Sequence, residues 1–239
     1  MTVLVSIDGG VATLTLNRPE ARNALNGPMC EQLQSAAQNA GADPDVRVVV
    51  VRANGPAFCA GADLKERQGM DAAQVRARRV KAFEAYAALE ALPMPSIAVV
   101  AGPAVGSGVE IAAACDFIVA TREASFATPE ALRGTVGATQ RLPRILGKRL
   151  AKDLLFTGRT LSAEEAERHG LVARLVEPAK LESVLAEIAK IIAEAPAQAL
   201  RLAKRCVDRG VELDPKGALA TEIAAIEEQL AAGAWMGKS

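Results

Sequence analysis

The 239-residue chain is 50% hydrophobic and sets 28 lysines and arginines against 28 aspartates and glutamates, for a formal net charge of +0. That balance leaves no overall field to gather nucleic acid or an anionic membrane surface, and five Phe, one Tyr and one Trp form no platform for base stacking. The length can bury one sizeable core, so a single α/β domain with a helical extension is expected.

In chain order, residues 3–7 and 11–16 flank Asp8-Gly9-Gly10, and Ala12-Thr-Leu-Thr-Leu16 alternates, which predicts an opening β-hairpin. Asn26, ahead of Gly27 and Pro28, is an N-cap for a helix to about residue 40. Residues 46–52, 96–100 and 116–120 are short apolar runs, the pattern of strands buried on both faces. Asp71-Ala-Ala-Gln74 predicts a capping box for a helix to about residue 89, ended by Pro93-Met-Pro95. Its charges, Arg76, Arg78, Arg79, Lys81 and Glu84, read as a solvated face. Strand and helix thus alternate to about residue 120, the order of an α/β fold with mostly parallel strands.

Past residue 139 the character changes. Ser162-Ala-Glu-Glu165 caps a helix to residue 169, residues 172–176 make a short strand, and residues 181–195, 198–208 and 215–230 read as three helices. The organisation expected is a core over residues 1–180 and a helical region over 181–239 that docks on the core or on another subunit.

Cys30, Cys59, Cys115 and Cys206 lack the paired spacing of zinc or redox motifs, and the N-terminus carries no secretory pattern, so reduced thiols, no metal and a cytoplasmic location are expected. Apolar runs such as residues 97–109 are broken by Gly and Pro and fall short of the ~20 residues that span a bilayer. No membrane association is expected.

Residues 101–120 hold one carboxylate, Glu110, two positions after Gly106-Ser107-Gly108 and within an apolar stretch that runs to Asp116. A carboxylate on an all-apolar helix is buried and loses hydration, which marks it as a catalytic acid or base; a terminal charge favoured by the helix dipole is the bland alternative. Three features favour catalysis. The small residues of 106–108 let backbone N–H groups approach a ligand oxygen; Asn54-Gly-Pro-Ala-Phe-Cys-Ala-Gly-Ala-Asp63 is a second small-residue turn; and a second carboxylate, Glu130, follows Pro129. The lone histidine, His169, stands beside Gly170 at a helix end, so a Ser-His-Asp arrangement through Ser107 is rejected.

Together these stretches resemble the enoyl-CoA hydratase/isomerase (crotonase) family over nearly the whole chain. The likeness runs through Leu16-Asn-Arg-Pro-Glu-Ala-Arg-Asn-Ala-Leu25, Phe58-Cys-Ala-Gly-Ala-Asp-Leu-Lys65, residues 102–116, Phe126-Ala-Thr-Pro-Glu130, Thr139-Gln-Arg-Leu142, Leu155-Phe-Thr-Gly158 and residues 166–172. It implies a spiral of ββα units with a C-terminal helical oligomerisation region, a homotrimer or dimer of trimers, and an acyl-CoA thioester substrate with no cofactor of its own. By the same resemblance the N–H groups of Ala60 and Ser107 form an oxyanion hole for the thioester oxygen. Glu110 would activate water for attack at C3, and Glu130 would protonate C2.

The resemblance also places Gly61, Ala62, Asp63, Leu64 and Gly106 along the substrate, with Asp63 capping the following helix. Arg22 and Lys65 border the nucleotide end in relatives; an ordinary surface charge is the other reading of each. Two departures stand out: Ser107 where hydratases commonly carry Gly, and a shortened loop over residues 131–138. Arg133 in that loop has no family counterpart and reads either as a solvated charge or as a contact for a polar acyl group. Both glutamates together favour reversible hydration of trans-2-enoyl-CoA to 3-hydroxyacyl-CoA. Double-bond isomerisation and non-catalytic acyl-CoA binding are the alternatives.

Overall fold

The computed structural model describes residues 1–233. The opening hairpin forms as β1 (Val3–Asp8) and β2 (Val11–Leu16), antiparallel and in register from Val3 opposite Leu16 to Asp8 opposite Val11. Asn26 caps α1 (Gly27–Ala42), its side chain accepting from the Met29 N–H. Then come β3 (Val48–Ala53) and α2 (Ala72–Glu90), the latter opened by the full Asp71/Gln74 capping box. β4 (Ser96–Val100), β5 (Pro103–Val105) and α3 (Ser107–Ala113) follow, then β6 (Phe117–Thr121) and β7 (Ser125–Ala127). The remaining elements are α4 (Arg141–Thr157), β8 (Leu161–Ser162), α5 (Ala163–Arg168), β9 (Arg174–Val176), α6 (Leu181–Glu194), α7 (Ala197–Gly210) and α8 (Pro215–Ala231).

Six strands make one sheet in the order β1-β2-β3-β4-β6-β9, parallel apart from the first pair. Because side chains alternate across a strand, the Val48–Val51 run serves two cores at once. Val49 and Val51 pack on one side with Leu14, Leu33, Tyr86 and Ile111; Val48 and Val50 pack on the other with Ile97, Val119, Leu185 and Ile188. Each such valine removes enough apolar surface to contribute roughly 1.5–3 kcal/mol as an upper estimate. α6, the first helix after residue 180, closes this second face of the sheet, while α7 and α8 pair with each other.

A smaller sheet, β5-β7-β8, lies at the end of the larger one. Each of β4 and β6 runs straight into a short strand of this second sheet, so chain leaving the main sheet is delivered to one edge. That ββ step positions the site.

Three expectations need correction. No helix is predicted over residues 141–157, yet α4 forms there: Pro143 sits in its first turn, and Gly147 (φ 74, ψ 156) kinks it, which together interrupt the helical pattern. Asp63 opens no helix; residues 64–69 are turns, and its carboxylate accepts from the Lys65 and Glu66 N–H groups. The α2 charges are not all solvated. Arg78 is buried, ion-paired to Glu66 at 2.7 Å and bonded to the Leu25 carbonyl. Among the described residues no helix is long and apolar enough to cross a membrane.

Candidate active site

Three segments far apart in sequence run side by side where the smaller sheet ends. Cys59 bridges in parallel to Ala104, and β5 pairs in parallel with β7. The Val105 N–H donates to the Cys59 carbonyl and the Gly106 N–H to the Ala127 carbonyl, both at 2.8 Å. Continuing past these strands, Ala60, Ser107 and Glu130 emerge together and line a cavity of about 680 Å³, with Gly61, Ala62, Leu64, Gly106 and Glu110. Of the expected site residues, Arg22, Asp63 and Lys65 are not among those lining it. Asp63 instead pairs with Arg18 at 3.0 Å, anchoring the turn below the cavity.

Glycine is required at the crossing point. Gly106 has φ 51, and a Cβ there would collide with Glu130 Oε1; a Cβ on Gly108 would strike the Cys59 carbonyl. The absence of side chains thus lets the α3 N-terminus press against both neighbours. The N–H of Ser107 has no hydrogen-bond acceptor among the described residues, as befits the first turn of a helix. Ala60 differs: its N–H donates to the Arg22 carbonyl at 2.9 Å. Arg22, held in the left-handed region at φ 51, therefore meets the site through its backbone, not its guanidinium.

Glu110 is 8% exposed at its side chain, and its Oε2 accepts from Arg141 Nη1 at 2.6 Å while Oε1 is buried without a partner. Burial raises its pKa, and the Arg141 charge and hydrogen bond oppose the rise. Glu130 Oε2 is likewise buried without a partner. Burial raises the Glu130 pKa too, and the negative charge of Glu110 adds to the rise; Arg133 and Arg79 pull against it. Two carboxyl groups, both poised toward protonation and each with an oxygen free, face one cavity beside a free backbone N–H. Such a pair can pass one proton in and another out.

A family model for enoyl-CoA hydratase/isomerase matches residues 6–232. The chain belongs to the enoyl-CoA hydratase/isomerase family. The short-chain-enoyl-CoA hydratase of Clostridium acetobutylicum is 38% identical over 231 residues, covering 95% of this chain and 88% of that one. Among solved structures, enoyl-CoA hydratase from Bacillus anthracis superimposes with a TM-score of 0.92 at 38% identity, covering 95% of this chain and 90% of the other. The Mycobacterium smegmatis enoyl-CoA hydratase gives 0.93 at 35% identity, over 96% and 91%. The fold is thus that of the crotonase family, a parallel-rich α/β core with a C-terminal helical region.

In this member of the family two residues join the site that the reading of the sequence gave no role. Arg141, from the Thr139-Gln-Arg-Leu142 stretch, spans Glu110 and Glu90 and lies 5.5 Å from the centroid of the Tyr86 ring. Tyr86 is buried and lines the cavity, and burial pushes its phenol above the usual range, so it stays neutral. The motif marked Arg141 as part of the likeness, but nothing local ties it to a carboxylate 31 positions earlier. Cys59, next to Ala60, is a buried thiol pushed up to about 12 and is no nucleophile at neutral pH. Among the described residues no group of three or more His, Cys, Asp or Glu is placed to hold a metal ion.

Proposed function

We propose that the protein is a hydratase that adds water reversibly to trans-2-enoyl-CoA, giving 3-hydroxyacyl-CoA. The observation carrying this reading is the pair of buried, unpartnered oxygens, Glu110 Oε1 and Glu130 Oε2, in one cavity beside the Ser107 N–H. The charges around them divide the roles. Burial raises both pKa values; Arg141 opposes the rise at Glu110, which suits a base, whereas the Glu110 charge adds to it at Glu130 against the weaker pull of Arg133 and Arg79, which suits an acid.

In the forward direction Glu110 takes a proton from water as the oxygen bonds to C3. The C2–C3 π electrons move toward the thioester, whose oxygen accepts from Ser107 N–H, and Glu130 delivers its proton to C2. Ala60 N–H becomes a second donor if it shares or releases the Arg22 carbonyl. Proton exchange with solvent then restores both carboxyl groups. The two carboxyls account for both proton transfers, so the reaction calls on no metal or cofactor. The pantetheine passes Ala60, Gly61, Ala62 and Leu64, where small residues allow close backbone approach.

Exposed apolar residues on α7 and α8 and at the turn between them, including Val207, Val211, Leu219, Ile223 and Ile226, fit burial between subunits of a homotrimer or dimer of trimers. Size-exclusion chromatography with light scattering reads that assembly directly. Free cysteines, three of them buried, fit a cytoplasmic setting.

The decisive test is the ultraviolet absorbance of crotonyl-CoA mixed with the protein, since hydration destroys the conjugated chromophore. Wild type should bleach it, and Glu110→Gln or Glu130→Gln should slow this by ~100-fold or more. No bleaching, with interconversion of 3-enoyl and 2-enoyl thioesters instead, would establish an isomerase. Binding with no turnover of either would leave an acyl-CoA-binding protein.

A further inference from the structure

The cavity carries more positive charge than its own carboxyls offset. Arg67, Arg78, Arg79 and Arg133 all line it, against the two carboxyls Glu110 and Glu130. Glu66 offsets Arg78 at 2.7 Å, and Arg141 offsets Glu110 at 2.6 Å from outside the lining. Arg67, Arg79 and Arg133 make no ion pair among the described residues; Arg79 binds only neutral groups, the Thr135 hydroxyl at 2.7 Å and the Val136 carbonyl. Among the described lining residues Glu130 is therefore the sole carboxyl left to face three guanidiniums, and as the acid of the proposed reaction it enters turnover uncharged.

The position of two of these cations identifies which part of a substrate they meet. The Glu130 side chain packs against both Gly106, whose Cβ would strike Oε1, and Gly137, whose Cβ would come within 2.9 Å of Glu130 Cγ. Gly106 adjoins the Ser107 donor. Next to Gly137, Arg79 grips Thr135 and Val136, and Arg133 ends the one-turn 3-10 helix Ala131–Arg133 that follows Glu130. Both arginines are also close enough for their charge to act on Glu130. A thioester with its oxygen at Ser107 and its C2 at Glu130 would place the remainder of its acyl chain in the cavity that Arg79 and Arg133 line. An alkyl tail laid there would cover guanidinium donors and return no hydrogen bond, whereas a carboxylate could accept two charge-assisted bonds.

We propose that this protein's preferred acyl group ends in a carboxylate received by Arg133 and Arg79, making it a site for dicarboxylic acyl-CoA thioesters. The inference rests on the orientation adopted in the hydratase reading, and its test does not require turnover. Calorimetry on the full chain would compare glutaryl-CoA with valeryl-CoA, five-carbon saturated thioesters that differ in their terminal carboxylate and methyl, together with free CoA.

Wild type should bind glutaryl-CoA about tenfold more tightly than valeryl-CoA at low salt, the scale of one charge-assisted contact. Arg133→Ala should cut that preference to about threefold or less with free CoA affinity unchanged, and Arg133→Lys should restore part of it. Equal or tighter binding of valeryl-CoA by wild type would overturn the proposal. So would an Arg133→Ala variant that loses affinity equally for free CoA and both thioesters, since the arginine would then hold coenzyme phosphate. Hydration assays on the matching 2-enoyl thioesters separate the two claims: binding preference without turnover keeps the carboxylate site and refutes the hydratase, and turnover without preference does the reverse.

Discussion

Arg141→Ala isolates what a positioning residue contributes to a buried catalytic carboxylate. Arg141 is 16% exposed at its side chain, Glu110 8% and Glu90 47%, so the Glu110 contact is the desolvated half of the bridge. Breaking a fully buried pair costs about 3–5 kcal/mol. Solvent reaching Arg141 and the half-exposed Glu90 lowers the expected cost to about 2–3 kcal/mol at pH 8.

The pH dependence separates charge from packing. Arg141 opposes the burial that raises the Glu110 pKa, so its removal raises that pKa further. For a carboxyl raised in the folded state, stability is greatest at low pH and is lost as pH rises through the folded pKa. The penalty of Arg141→Ala should therefore be larger at pH 8 than at pH 5, because Glu110 loses its need for the cation as falling pH favours its protonated form. Turnover should show the same shift: the acid limb of the pH–rate profile moves upward as the base becomes harder to ionise. Urea unfolding at the two pH values and a profile of crotonyl-CoA hydration provide the readouts. A destabilisation equal at both pH values, with an unmoved acid limb, would refute the account, because a lost packing contact would produce that result.

Glu130→Gln should lose turnover yet unfold at a higher temperature than wild type at pH 8, since it deletes a carboxyl that burial and Glu110 both disfavour as an ion; differential scanning calorimetry against pH should show the difference shrinking toward pH 4. Gly106→Ala sets a Cβ against Glu130 Oε1 at a positive φ, so we expect about 1–3 kcal/mol of destabilisation by denaturant titration and a fall in hydration beyond that of a remote variant of equal stability. Arg78→Met leaves Glu66, 23% exposed, and the Leu25 carbonyl without their cation. It should cost about 2–3 kcal/mol and raise hydrogen exchange in residues 62–70, and unchanged exchange there would show that the pair does not hold the turn.

The local grammar of the chain was enough for the hairpin at Asp8-Gly9-Gly10, the Asn26 and Ser162 caps, the Asp71/Gln74 box and the doubly buried strands, because each depends on neighbours within a few residues. Glu110 was legible for a similar reason: a charge on an otherwise apolar helix is conspicuous without knowledge of what packs on it. Other features depended on distance. Helix forms on both sides of Gly147 because the first-turn Pro143 loses no helical bond and the glycine, itself non-helical, joins the two segments at a kink, and Leu142, Ala151, Leu154 and Leu155 gain burial. Arg78 looked like one more surface charge until the turn at Glu66 and the Leu25 carbonyl closed over it. Nothing in the local sequence ties the Ala60 N–H to the Arg22 carbonyl, and only the fold brings the two together. Sequence thus determined which residues could do chemistry, through hydropathy and local hydrogen bonding. The parallel run of Cys59, β5 and β7 decided which of them meet, because contacts across strands carry no periodic signature along the chain.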